Sequence, residues 1–158
     1  MNKSAMLLTL IVLACVGCTG NIIDQDSFGT PASAVTPSNS WVVSSNFGNA
    51  KILTDGSVGA CLTSPNTTDQ AYVMVDMGKR CLFNQIILDH GPNEFGCARR
   101  VAVYTSLDGR EFTRQYVAPG TRRLTYLNLI TPVLARYVRV QVEQHGDRPW
   151  SIAEIYIR

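Results

Sequence analysis

The chain has 158 residues, 46% of them hydrophobic and 16% charged, with a formal net charge of +2. That length leaves room for a single domain once any targeting segment is removed. The basic residues are scattered and no internal repeat is evident, so nothing marks a nucleic-acid partner or a repeat array.

At the amino terminus Lys3 precedes an uncharged apolar run over residues 5–17, AMLLTLIVLACVG, which is too short for a comfortable bilayer span. A positive start and an apolar core read as a secretory signal peptide. A buried helix of a cytosolic domain competes poorly, because the run has no amphipathic face. Its end, Cys15-Val16-Gly17-Cys18, resembles a bacterial lipobox, in which a small residue precedes a cysteine that becomes diacylated. Gly17 makes Cys18 the expected lipidation site, although Cys15 stands where Leu is usual, and cleavage without lipid is the alternative. Residues 1–18 are then a lipoprotein signal peptide. The expected location is the bacterial cell envelope, lipid-anchored to a membrane (the outer one if the host has two), with the domain facing the periplasm or exterior.

Residues 19–39 are rich in Gly, Ser, Thr, Asp and Pro and read as a flexible tether, leaving 40–158 as the domain. Trp41 opens the first strand, where a packing role is expected. Residues 60–70 are polar and loop-like apart from Leu62. AYVMVDM, 71–77, is almost continuously apolar and reads as a strand buried on both sides. Gly78-Lys79 reads as a turn, and LFNQIIL, 82–88, as the next strand. A polar loop, DHGPNEFGCA, leads to the strand 101–106 and to Asp108-Gly109, a tight-turn dipeptide. A strand follows over 124–129. Val138, Val140 and Val142 then alternate with polar residues, 145–150 break the pattern, and Ala153, Ile155 and Ile157 resume it. Seven or eight short strands with no convincing helix predict an all-β, antiparallel β-sandwich.

Four stretches in order carry a resemblance: SWVVSSNFGNAKILTDG, YVMVDMGKRCLFNQIILD, SLDG, and ARYVRV followed after a loop by WSIAEIYI. Together, over 40–158, they resemble the discoidin, or coagulation-factor type C, domain, including its carbohydrate-binding relatives of module family 32. VDMG stands for the usual VDLG. The chain departs from the family where Ala60 and Leu62 replace a usual Thr and Trp, and where Ala153 replaces the His of a frequent WSIHEI.

The resemblance implies a discoidin-like jelly roll that binds through loops at one end. His90, Asn93, Glu94, Phe95 and Arg99 lie in or beside one such loop; His145, Asp147, Arg148 and Trp150 belong to another. Planar polar groups suit sugar hydroxyls and aromatic faces suit C–H surfaces. Arg99 stands where glycan-binding relatives carry an Arg; a salt bridge to Glu94 or Asp89 is its competing role, and packing is that of Trp150. Many relatives hold a structural Ca²⁺, for which Asp55 and Glu154 match the side-chain ligands. Two carboxylates fall short of the six to eight oxygens that Ca²⁺ takes, and a turn-capping Asp55 with an Arg-paired Glu154 is the alternative.

Three cysteines follow the anchor. Cys81 falls in the expected turn after VDMG, while Cys61 and Cys97 fall in loops at the other end, so a Cys61–Cys97 disulfide is expected, with three reduced thiols as the alternative. No zinc spacing, nucleophile–base pair or phosphate loop stands out. The expectation is therefore a non-catalytic carbohydrate-binding module whose partner is a glycan or glycoconjugate. A protein–protein adhesion or envelope-assembly module, with an envelope protein as partner, is the alternative, and phospholipid head groups are a third reading.

Overall fold

Two unusually long strands carry the architecture in a computed structural model, which describes residues 35–65 and 69–158. The signal segment and Cys18 lie outside the described residues. The strands are β1 (Val42–Ser45), β2 (Leu62–Thr63), β3 (Tyr72–Asp89), β4 (Arg100–Ser106), β5 (Thr113–Ala118), β6 (Leu124–Gln144), β7 (Ser151–Ile152) and β8 (Glu154–Ile157). Two 3₁₀ turns, Ser38–Ser40 and Ala50–Thr54, flank β1.

The expected turn at Gly78-Lys79 does not divide the stretch into two strands. Gly78 takes a left-handed φ of 79°, yet β3 runs on through it. The reason is its partner: β6 is equally continuous, and the two pair antiparallel along both halves. Residues 72–76 of β3 face 137–141 of β6, and 85–89 face 124–128. Register irregularities between Asp76 and Cys81, and between Phe83 and Gln85, absorb the extra residues. Such bulges bend a strand and let it pass from one sheet to the other. The segments expected at 124–129 and 138–143 are joined in the same way within β6.

Each half of this ladder gathers its own neighbours. The first half lies in the order β1-β3-β6-β4-β5; the second carries β8, with Ile86 opposite Ile157 and Asp89 opposite Glu154. The expected alternation holds: Val138, Val140 and Val142 are fully buried, as are Val73, Val75, Ile86, Leu88 and Ile155, and all join one core. The result is an antiparallel β-sandwich.

Trp41 packs into that core, and its indole N–H lies 3.1 Å from the Thr36 carbonyl. Thr36 in turn donates to the Met77 carbonyl at 3.0 Å, and Val35 packs on the core, so packed structure begins before residue 40. Cys81 is buried within β3, not placed in a turn.

Asp76, of the VDMG stretch, ties the bend. It accepts from Arg136 Nε at 2.8 Å and Nη2 at 2.9 Å, and from the Gly78 N–H at 2.8 Å. Burial alone would raise its pKa, but the Arg136 fork and the Gly78 N–H together hold it below the ordinary 3.8. A depressed carboxylate contributes stability above its unfolded pKa and loses it as pH falls. Asp76→Ala is expected to cost about 1 kcal/mol at neutral pH, with the difference from wild type vanishing in acid, as measured by urea denaturation across pH.

Candidate functional site

The strand pairing decides which loops meet. Arg100 opens β4 opposite Gln144, the end of β6, and Val101 lies opposite Ala118, the end of β5. The loops 90–99, 119–123 and 145–150 therefore converge on one rim. Backbone bonds hold them there: Arg99 N–H donates to the Gln144 carbonyl at 3.0 Å, and Gly120 N–H to the Arg99 carbonyl at 3.3 Å. Glycine is required at two crossings, since a Cβ on Gly120 would strike the carbonyl of Ala98 and one on Gly146 that of Cys97.

Between these loops lies a groove of about 240 Å³ whose side chains are Phe95, Cys97, Ala98, Arg99, Arg122, Asp147 and Arg148. Arg99 Nη2 donates to Asp147 Oδ1 at 2.6 Å, so its partner is neither Glu94 nor Asp89. Both groups are well exposed, at 59% and 85%, which makes the pair weak in energy and leaves donors free to face a ligand. The guanidiniums of Arg122 and Arg148 stand over the Phe95 ring, 4.4 and 5.2 Å from its centroid. A larger groove at the other end of β4, about 370 Å³, is lined by residues such as Thr105, Asp108 and Glu111 and contains neither arginine nor aromatic ring. Asp108 there is engaged by its own turn, accepting the N–H groups of Arg110 and Glu111.

Of the residues singled out in the sequence, Phe95, Arg99 and Arg148 line the groove, together with Asp147. His90 does not. It is fully buried, with Nδ1 2.6 Å from the Ser151 carbonyl and Nε2 2.9 Å from Thr125 Oγ1. A carbonyl only accepts, so Nδ1 carries the proton and Nε2 accepts from the Thr125 hydroxyl. Burial pushes the imidazole below its ordinary value, against the pull of the Ser151 carbonyl and of Asp89. Thr125 Oγ1 also accepts the Thr121 N–H at 3.0 Å, and the His90 N–H donates to the Arg123 carbonyl at 2.9 Å. His90 is thus a post beneath the loop that presents Arg122.

Trp150 is likewise no platform. It is 2% exposed, its ring packs on Phe47 at 5.9 Å, and its N–H donates to Ser64 Oγ at 3.0 Å. Its indole Nε1 finds no partner. Asn93 works through its backbone, taking part in two successive turns with His90 and Gly96. Glu94 is half-buried and does not line the groove. His145 is held away from it, its N–H donating to Asp69 Oδ1 at 2.8 Å. Arg122 went unnoticed in the sequence; its signal is a loop glycine, Gly120, followed by paired arginines just before a strand.

The expected Cys61–Cys97 bridge is not formed, and both are free thiols. Cys61 Sγ turns to the His90 carbonyl at 3.5 Å, whereas Cys97 lines the groove.

Glu154 is 1% exposed, and its Oε2 has no hydrogen-bond partner, so the alternative of an arginine-paired Glu154 is not what the structure shows. Burial, with Asp55 and Asp89 nearby, pushes its pKa up to about 7, against the Gly56 N–H that donates to it. Asp55 is exposed and accepts the Ser57 N–H at 2.8 Å. Among the described residues no three His, Cys, Asp or Glu side chains form a metal cluster. An orphaned buried carboxylate oxygen beside two further acids nevertheless fits a hard cation that takes its other oxygens from backbone carbonyls.

A β-sandwich with a polar groove among the loops of one rim defines a binding-domain class. The F5/8 type C domain model matches residues 31–155, and the chain belongs to that family. A solved structure of CpGH89CBM32-5 from Clostridium perfringens, in complex with GalNAc-β-1,3-galactose, is similar at TM-score 0.70 and 16% identity, covering 79% of this chain and 99% of that one. The family 32 module of C. perfringens NanJ, in complex with galactose, gives 0.68 and 15%, covering 79% and 97%. Chitosan-binding module 2 of a Paenibacillus sp. IK-5 chitosanase/glucanase, in complex with chitotriose, gives 0.67 and 13%, covering 77% and 98%. A comparison with curated proteins found no match.

His90→Ala is expected to unfold at lower denaturant, by about 1–3 kcal/mol, because it takes a buried hydrogen-bond partner from Thr125 and from the Ser151 carbonyl. A histidine kept neutral by burial also makes the wild type lose stability as pH falls below 6.5, and the variant should lose that dependence. Denaturation at pH 5 and pH 8 reads both.

Proposed function

We propose that this domain is a non-catalytic glycan-binding module, held at the membrane of a bacterial cell envelope by lipid on Cys18. The observation that carries the reading is the rim groove. Among the described residues its side chains are three arginines, an aspartate, a phenylalanine, a cysteine and an alanine, a set rich in hydrogen-bond donors and without a histidine or second carboxylate to move protons. Such a set on loops fixed by a rigid sandwich suits recognition of hydroxyl-rich ligands. That solved structures of similar fold hold galactose, GalNAc-β-1,3-galactose or chitotriose supports a saccharide as the ligand class.

A glycan array probed with the purified protein tests the reading, and retention of one envelope protein in place of any sugar would favour the adhesion alternative. With the sugar so found, Arg99→Ala should lose about 1.5–3 kcal/mol of binding by calorimetry. Arg110→Ala, in the turn beyond the far end of β4, should bind as wild type. The anchor has its own test. Labelling with an alkyne fatty acid should depend on Cys18; if Cys18→Ser still labels while Cys15→Ser does not, the lipid belongs on Cys15 instead.

The proposal includes a structural Ca²⁺ held by Asp55 and Glu154, which would supply charge neutralisation to the buried carboxylate. Without the ion, a carboxylate whose folded pKa is raised costs stability as pH climbs from 4.5 to about 7. Glu154→Gln should abolish that fall. Ca²⁺ should raise the melting temperature of the wild type at pH 8 and leave Glu154→Gln unchanged; an equal response of both proteins would place the ion elsewhere.

A further inference from the structure

We infer that the groove takes an acidic saccharide, one carrying a carboxylate or a sulfate on the sugar; this rests on the glycan-binding reading above. Three guanidiniums line the groove against the one carboxylate of Asp147, and that carboxylate is engaged by Arg99 at 2.6 Å. Among the described residues no ion pair joins Arg122 or Arg148 to an acid. Both are instead gathered over one phenylalanine. The ring stabilises each guanidinium in part, and an anion in the groove would supply the counter-charge that both still lack. Guanidiniums stay charged at any working pH, and each fork matches two oxygens of a carboxylate or sulfate.

The same geometry disfavours other sugars. A neutral hexose is best held against an open aromatic face, and Phe95, the one ring among the described residues lining the groove, already carries two guanidiniums. A polycationic chitosan oligomer would meet three like charges.

The backbone under Arg122 supplies a second, independent observation. The Leu124 N–H donates to the Arg122 carbonyl at 2.8 Å, closing a three-residue turn around Arg123, whose φ is 65°. A non-glycine residue in that region is strained and persists only where its surroundings impose it. Here the His90 N–H holds the Arg123 carbonyl, and Thr121 Oγ1 donates to the Leu124 carbonyl at 2.6 Å. The loop is forced into the shape that sets Arg122 over Phe95.

The test is calorimetric titration of the purified protein with trigalacturonic acid, its methyl ester, galactose 6-sulfate and galactose. At least one acidic sugar should bind about tenfold or more tighter than its uncharged counterpart, with the preference shrinking as salt is added. Whether the uronate or the sulfate wins identifies the anion, and either supports the inference. Arg122→Gln and Arg148→Gln, both surface changes checked by thermal melting, should each lose the preference, while Arg110→Gln keeps it. Equal binding of acid and ester, or a preference that survives both substitutions, overturns the acidic-ligand inference and leaves glycan binding standing. So does equally tight binding of phosphatidylglycerol vesicles, since the groove would then answer to anions in general. If neither these sugars nor the array binds at all, the glycan reading falls and this inference with it.

Discussion

The antiparallel ladder between β3 and β6 is the constraint on which the rest of the structure depends. Eighteen residues of one strand and twenty-one of the other stay paired through a shared bend. An antiparallel partner satisfies backbone groups on both sides of that bend, so the irregular register costs a few hydrogen bonds and not a strand end. Because both strands double back, each begins and finishes near the same rim: Tyr72 and Asp89 for β3, Leu124 and Gln144 for β6. The loops that flank these four ends must then lie close together. The groove is a consequence of that closure, with β4 and β5 adding the final neighbours at Arg100 and Ala118.

Closure also forces polar groups into the interior at the rim, where each needs a partner. His90 meets its need with Ser151 and Thr125, and so ties the end of β3 to β7 and to the start of β6. Glu154 meets only part of its need, being opposite Asp89 across the ladder and accepting one backbone N–H. These two groups pull stability in opposite directions along the pH axis. His90 penalises acid, whereas Glu154 penalises neutrality. A cation beside Glu154 would remove the second penalty and leave the first.

Much of the fold was legible in the sequence because alternation is a local signal. The valines of β6 and the isoleucines of β8 announce their buried face two residues at a time. Continuity of β3 through Gly78 was not legible, since a glycine with positive φ also makes turns and only the distant partner strand decides which occurs. Of the candidate site, the two charged or aromatic loops were readable as loops, and Phe95, Arg99 and Arg148 do line one groove. His90 misled because a histidine among Gly, Pro and Asn reads as exposed, while the partners that bury it stand 61 and 35 residues away. Trp150 misled for the same reason, its cover coming from Phe47 and Ser64. Arg122 carried no family mark and enters through a third loop that the β4–β5 and β3–β6 pairings together bring into place.

The direction in which the groove points follows from the same ladder. The described chain enters at Val35 and Thr36, which lie against the core and Met77, beside the bend. From there β1 runs from Val42, opposite Asp76, to Ser45, opposite Val73, toward the rim. The bend and the rim are opposite ends of the sandwich, so Val35 and Thr36 lie toward the end away from Arg99, Arg122 and Arg148. With lipid on Cys18, as proposed, this polarity presents the arginine groove away from the anchored end. Its positive charge would then face whatever polymer lies beyond the membrane surface, where a cationic site gains from steering an acidic ligand.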